Sequence, residues 1–447
     1  MLKDQKQERD IVKISSRLIY YFFFLGGEMD YKKIENGEYD IHIINNNKFH
    51  TIDFRVYFTS NVTKEKITYY NFLVSILTSA TKKYDTKEKL IKKCQDLYSL
   101  YPTSLLHRNG NLLTCKFGIS TVNSKYIDTD NLYDNILLLK EILLNPLVEN
   151  NEFNKKYFDI TMKELVNETK TIPEEPRLLA NIKLLELLNR GDNNLMTSYC
   201  DMDILNQIDR KNLYQKYLEL IHDNKIDIFI AGNIKDTEKV VKFIKDNFKF
   251  NNNYSKLNDG MIVHHKPNKL ITKELEGNYS QSKISIGYKF YGLSEYENRY
   301  VAFILNNVLG GGANSLLMRY IREEKSLCYY INSYYNRLDN AIIINSGINK
   351  KNYEEVLKLQ KEVFNDVIKG KFTKRDLLEA KEELLFDLSN VYENNRNIID
   401  YYYGRCIFNS DELNKKINMV KNVSKEDIMK LAKKLELNAV FFLKGDL

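Results

Sequence analysis

The chain has 447 residues, 43% hydrophobic and 28% charged, the balance of a soluble globular protein too long for one ordinary core. Its 67 basic and 60 acidic residues leave a net charge of +7 and interleave along the sequence, which excludes the concentrated basic footprint of a nucleic-acid-binding surface. Five cysteines, Cys94, Cys115, Cys200, Cys328 and Cys406, lie far apart without C-x-x-C spacing, so reduced thiols and a cytoplasmic location are expected rather than a disulfide framework.

The N-terminus, MLKDQKQERD, has no signal-peptide pattern, and the apolar run Leu18 to Leu25 is too short to span a bilayer. Phe54 to Phe58 reads as a strand, and Thr68 to Lys83 and Lys87 to Ser99 as helices. Leu112 to Ile119 alternates as a strand should, with Leu113, Cys115, Phe117 and Ile119 on one face. Helical patterns follow over Asn131 to Leu144, Asn151 to Lys170, Glu175 to Asn189 and Arg210 to Ile221. A short buried strand, Ile226 to Ala231, precedes a helix ending near Phe248. Residues 251–277 lose periodicity and collect Asn, Lys, Gly and Pro, as a linker does.

Beyond the linker the order repeats. Ile284 to Phe290, Cys328 to Tyr335 and Ala341 to Ile348 read as strands, and Tyr353 to Ile368 and Lys374 to Val391 as amphipathic helices. Asp209 and Ser424 each stand where they can cap a helix leading to a strand, IFIAGNI in one half and FFLKGDL in the other. CKFGI at Cys115 to Ile119 likewise matches INSGI at Ile344 to Ile348. The expected architecture is two copies of one α+β unit, residues 1–250 and 278–447, each a mainly antiparallel sheet covered by helices and together forming a clamshell.

One segment combines unusual backbone chemistry with fixed side-chain spacing: LGGGANSLLMRYIREEKSLCYY, Leu309 to Tyr330. Gly310, Gly311 and Gly312 free the chain for conformations closed to other residues and let a ligand's backbone approach. A helix capped by Asn314 or Ser315 is expected to carry Arg322 near its end, with Tyr329 opening the next strand. This glycine triplet and REEKSLCY, set in a duplicated unit, resemble the C-terminal half of the insulinase/pitrilysin-like zinc peptidases, including the mitochondrial processing peptidase subunits. There the stretch runs LGGG, helix, then R-E-K-x-G-L-A-Y, and Arg322 and Tyr329 fall on its recurring arginine–tyrosine pair. Ser326 departs from the pattern, which has glycine.

Active members of that family carry H-x-x-E-H on the first helix of the N-terminal half. Its spacing sets two imidazoles one helical turn apart on a metal, with the glutamate beside them to take a proton from bound water. Aligning the trailing ATKKY here puts Asn71, Val74 and Ser75 on the histidine, glutamate and histidine positions. An amide, a hydroxyl and an isopropyl group supply neither a zinc site nor a base. Glu164, in KELVNE, is the counterpart of the family's third ligand, and Tyr157 replaces a further acidic residue. The remaining histidines, His42, His50, His107, His222 and the His264–His265 pair, are scattered and read as surface residues. There is no G-x-S-x-G elbow, P-loop or G-x-G-x-x-G after a strand.

The resemblance implies the non-catalytic, substrate-binding subunit of a heterodimeric zinc metallopeptidase, like the processing peptidase alpha subunit and bacterial inactive homologues. The chain itself is expected to hold no cofactor. A homologous partner with an intact H-x-x-E-H would hold zinc. This chain would lend Arg322 and Tyr329 in trans to a peptide carbonyl and Gly310, Gly311 and Gly312 to substrate binding. The alternatives are a structural or peptide-binding scaffold and a self-sufficient metallopeptidase with a relocated site.

Overall fold

A computed structural model describes residues 29–188, 198–254, 256–258, 260–261 and 269–446; the run Leu18 to Leu25 and the pair His264–His265 lie outside them. The first sheet contains β1 (Asp30–Glu35), β2 (Asp40–Asn45), β3 (Thr51–Asn61), β4 (Thr103–Asn109), β5 (Leu112–Val122) and β8 (Lys225–Gly232), in the order β1-β2-β8-β3-β5-β4. Between β5 and β8 a small hairpin, β6 (Val148–Glu149) and β7 (Glu152–Phe153), stands apart. The second sheet contains β9 (Ile271–Glu276), β10 (Ser282–Phe290), β11 (Cys328–Asn336), β12 (Ala341–Ile348) and β13 (Leu435–Lys444), in the order β11-β12-β10-β13-β9.

With β1 set aside, the strand orders correspond one for one: β2 to β9, β8 to β13, β3 to β10, β5 to β12 and β4 to β11. Each holds one parallel pair, β2 with β8 and β13 with β9, and the other pairings are antiparallel. The duplicated α+β class is therefore in the hydrogen-bond ladders themselves. CKFGI and INSGI indeed occupy equivalent strands, β5 and β12.

Helices α1 (Lys64–Ile76), α2 (Lys87–Asp96), α3 (Leu132–Leu144), α4 (Lys155–Thr171), α5 (Pro176–Leu188), α6 (Arg210–His222) and α7 (Thr237–Asn247) belong to the first half of the chain. In the second half, helical stretches at 297–311 and Met318–Glu324 precede α8 (Tyr353–Ile368), α9 (Lys374–Ser389), α10 (Asn395–Phe408), α11 (Leu413–Asn422) and α12 (Lys425–Ala432). Both anticipated caps form reciprocal boxes, Asp209 with Asn212 before α6 and Ser424 with Asp427 before α12. Each satisfies backbone N–H groups at a helix start, worth about 1 kcal/mol.

Two helices cross over. Helix α5, from the first half, lies on the second sheet, where Leu179, Ala180, Leu184 and Leu188 pack with Ile343, Ala439, Phe441 and Leu443. Gly287 makes room for it, since a Cβ there would stand 2.6 Å from Leu188 Cδ2. Helix α10, from the second half, lies on the first sheet, where Ile398, Ile399, Tyr402 and Tyr403 cover Ile44, Tyr57, Phe229 and Ala231. Tyr403 Oη is within hydrogen-bond distance of Thr59 and Thr114, at 2.9 and 2.6 Å. The halves of the clamshell therefore share cores rather than meeting only at a linker.

Several elements differ from expectation. Within the stretch read as linker, Ile271–Glu276 is a strand. It sits at a sheet edge with five of its six residues exposed, so no apolar alternation marks it. Strand β1 is an edge strand with a similar pattern. Helix α10 was not anticipated because its sequence, NRNIIDYYYGRCIF, is rich in residues of low helix propensity and takes its stability from the sheet beneath.

Candidate functional site

Helix α1 starts where Thr63 accepts a hydrogen bond from Lys66 N and carries the three motif positions. The Asn71 amide Nδ2 donates to Ile67 O at 3.0 Å and Ser198 O at 2.8 Å. Ser75 Oγ donates to Asn71 O at 3.1 Å, and Val74 is buried among apolar neighbours. On α4, Glu164 points to solvent, while the buried Tyr157 accepts a hydrogen bond from Lys87 N at 3.2 Å. A zinc ion does not fit this set: the amide and hydroxyl are spent on carbonyls and no imidazole is present. After exhaustive dialysis, elemental analysis of the purified chain is expected to find well under one zinc per molecule; a one-to-one content abolished by Glu164→Ala would overturn this.

In the second half the glycines fall differently from expectation. Gly310 and Gly311 close a helical stretch of wide turns, Asn307–Gly311, and Gly312 ends it with an extended backbone, φ −83°. None of the three has a positive φ. Close approach is what requires them, and the chain's own groups make that approach. A Cβ on Gly310 would stand 2.8 Å from Ser333 Oγ, one on Gly312 2.5 Å from Glu383 Oε2, and one on Gly311 would overlap the Asn306 amide. Glu383 Oε1 also accepts the Ala313 N–H at 2.9 Å.

Arg322 and Tyr329 flank a tight connection. Arg322 lies in the wide-turned helix Met318–Glu324; such turns are uncommon and frequent at functional sites. Its side chain is exposed, with Nη1 3.4 Å from Met318 Sδ. The connection closes through Ser326 N to Arg322 O at 3.1 Å and Leu327 N to Ile321 O at 3.0 Å, and Ser326 takes φ +53°. The serine that departs from the family pattern thus adopts the left-handed conformation that glycine enters without strain. Ser326→Gly is expected to stabilise the chain by about 0.5–1 kcal/mol, strain relief outweighing the added unfolded-state entropy, read from the urea midpoint.

Tyr329 opens β11 at a bulge: Cys328 pairs with Ile348 and Tyr330 with Gly347, leaving Tyr329 as the extra residue. A bulge re-aims a side chain out of the ladder. Tyr329 is 57% exposed, with Oη 3.4 Å from Asn349 Oδ1. The pair therefore neither satisfies helix-end carbonyls nor packs within the sheet. Gly310 packs against Ser333 on β11, Tyr329 lies near the start of that strand, and Arg322 lies on the helix just before it, while Asn71, Val74 and Ser75 lie on α1.

Residues 207–384 match the family model described as Peptidase M16 inactive domain, so the resemblance to the insulinase/pitrilysin-like peptidases holds. A Bacillus subtilis (strain 168) protein described as "Probable inactive metalloprotease YmfF" is 24% identical over 420 residues, covering 92% of this chain and 97% of that protein. A conserved protein from Enterococcus faecalis V583 has a solved structure with TM-score 0.87 and 21% identity, covering 93% of this chain and 99% of that one. A peptidase M16 inactive domain from Pseudomonas fluorescens aligns with TM-score 0.75 and 14% identity, over 94% of this chain and 99% of that one. No helix among the described residues is long and apolar enough to cross a membrane.

One group escaped the sequence reading. His42, taken for a surface residue, is fully buried on β2, with Nε2 3.0 Å from Oδ1 of the buried Asp227 on β8. The ligating atoms of Asp40, His42 and Asp227 lie within 4.8 Å of one another. A cation is already there: Lys225 Nζ contacts Asp227 and lies 3.2 Å from Asp40, with Lys33 3.1 Å away on the same carboxylate. The available signal was an aspartate inside the apolar run KIDIFIAG, a charge that must be paired if buried.

Proposed function

We propose that this chain is the non-catalytic subunit of a two-chain zinc metallopeptidase acting on peptides. A homologous partner bearing H-x-x-E-H would activate the water. This chain would present Arg322 and Tyr329 to the carbonyl of an extended peptide, a guanidinium and a phenol being suited to an oxygen that gains negative charge. The observation that carries the reading is the outward presentation of both groups, the tyrosine lifted from its strand by a bulge. Strand β11 is also a sheet edge, where a peptide can add by backbone hydrogen bonds. Gly310, Gly311 and Gly312 would serve substrate binding indirectly, by letting Ser333, Asn306 and Glu383 pack close beside them.

The test is reconstitution. The isolated chain is expected to leave an unstructured peptide intact, and a mixture with a zinc-bearing homologous subunit to cut it and lose activity to a chelator. Chelator-sensitive cleavage by the isolated chain, at constant specific activity through purification, would overturn the proposal. A mixture that assembles without cutting would favour the scaffold reading instead.

A further inference from the structure

Where the crossed-over helix α10 meets the first sheet, four side chains from four elements converge: Cys406 on α10, Tyr31 on β1, His42 on β2 and Asp227 on β8. Cys406 Sγ lies 3.9 Å from His42 Nδ1 and 3.2 Å from Tyr31 Oη, which is itself 2.9 Å from His42 Nδ1. The far side of the imidazole is held by Asp227, and its faces by rings, Phe229 at 4.2 Å and Tyr31 at 6.0 Å between centroids. Asp227 is in turn fixed by Lys225, and its Oδ2 has no hydrogen-bond partner. The histidine thus has its tautomer and orientation set, and its free edge is turned to a thiol and a phenol.

Cys406 is the exposed one among the five cysteines; Cys94, Cys115 and Cys328 are buried and Cys200 is half-buried. Burial pushes the Cys200 thiol up to about 12. Burial would also raise Cys406, but the hydrogen bonds from His42 and Tyr31 outweigh it and hold this thiol below its ordinary value. Burial would lower His42, and Asp227 together with Cys406 raises it instead. Accessible surface, a fixed base and stabilisation of the thiolate are the three conditions for a reactive cysteine.

We propose that Cys406 is a nucleophilic thiol, served by His42 and Asp227 and steadied by Tyr31, that undergoes exchange with low-molecular-weight disulfides. The Cys406 proton passes to His42 Nδ1. The thiolate attacks one sulfur of the small disulfide, an S–S bond to Cys406 forms as the original S–S bond breaks, and the departing thiolate takes the proton back from the imidazolium. One thiol and one disulfide become one mixed disulfide and one thiol. The modified residue then stands on the helix that joins the two halves. This inference uses no partner subunit and stands or falls apart from the peptidase reading.

The experiment follows each cysteine of the full-length chain by mass spectrometry during iodoacetamide labelling from pH 5 to 9. The titratable and charged groups around Cys406 are Tyr31, Asp40, His42, Lys225 and Asp227 from the sheet and Arg405 from its own helix. At pH 6.5 an ordinary thiol is only about 1% ionised. Cys406 is therefore expected to label about tenfold faster than the same residue in the urea-unfolded chain, allowing for the lower intrinsic nucleophilicity of a less basic thiolate. Its rate profile should inflect at lower pH than in the unfolded chain, and Tyr31→Phe, which removes one of the hydrogen bonds that hold the thiol down, should move the inflection upward. Oxidised glutathione should add once, to Cys406, and come off with dithiothreitol. A profile coinciding with the unfolded chain's, one unmoved by Tyr31→Phe, or first addition of glutathione to another cysteine overturns the proposal.

Discussion

Arg322→Ala or Tyr329→Phe in a reconstituted two-subunit peptidase is expected to lower turnover about a hundredfold, or roughly 3 kcal/mol, with assembly unchanged. Neither side chain contributes to a core: Arg322 is exposed and Tyr329 stands outside its ladder at the bulge. Their removal therefore leaves the fold with nothing to repair. In the proposed role their hydrogen bonds would strengthen as charge develops on the substrate oxygen, so the loss is expected in kcat and kcat/KM with KM little changed. Steady-state kinetics beside a sizing column separates chemistry from assembly. Wild-type turnover by both assembled variants would assign the pair to the surface and leave the scaffold role.

The second large effect concerns the exchanged helices. Ile399 on α10 and Leu184 on α5 are both 0% exposed, in separate clusters. Truncation to alanine removes transfer free energy and leaves a cavity, so Ile399→Ala and Leu184→Ala should each destabilise by about 2–5 kcal/mol. Because they share no neighbours within those clusters, the double variant should lose close to the sum. Urea midpoints give these values. Cleavage at a protease site inserted beside the exposed Asn258 should leave both fragments in one particle without denaturant. Separation on a sizing column after the cut would show that the linker, not the crossed helices, joins the halves.

The duplication was legible because its markers are local. Asp209 and Ser424 cap the expected helices, and the two matching strings of five residues lie within the equivalent strands β5 and β12. The altered metal motif was legible for the same reason, since one helical turn sets its spacing. The crossing of α5 and α10 was not legible, because amphipathicity reports that a helix has an apolar face but not which sheet covers it. The glycine triplet invited a reading from its conformational freedom, whereas close packing is what requires it, against Asn306 one turn earlier and against Ser333 and Glu383, which are distant in sequence. Cys406, His42 and Asp227 are separated by hundreds of positions, and no spacing rule joins them.

The exchange of helices also constrains the order in which the protein can be made. While the ribosome is still adding the second half, Ile44, Tyr57, Phe229 and Ala231 have no cover, because the helix that shields them ends at Phe408. Helix α5 waits in the same way for β10 and β13. Neither half can complete its core before nearly the whole chain has emerged, and contacts of such long range form slowly. The nascent protein thus carries an uncovered apolar sheet from the completion of β8 at Gly232 until Phe408 has been added, an opening for chaperones and for aggregation.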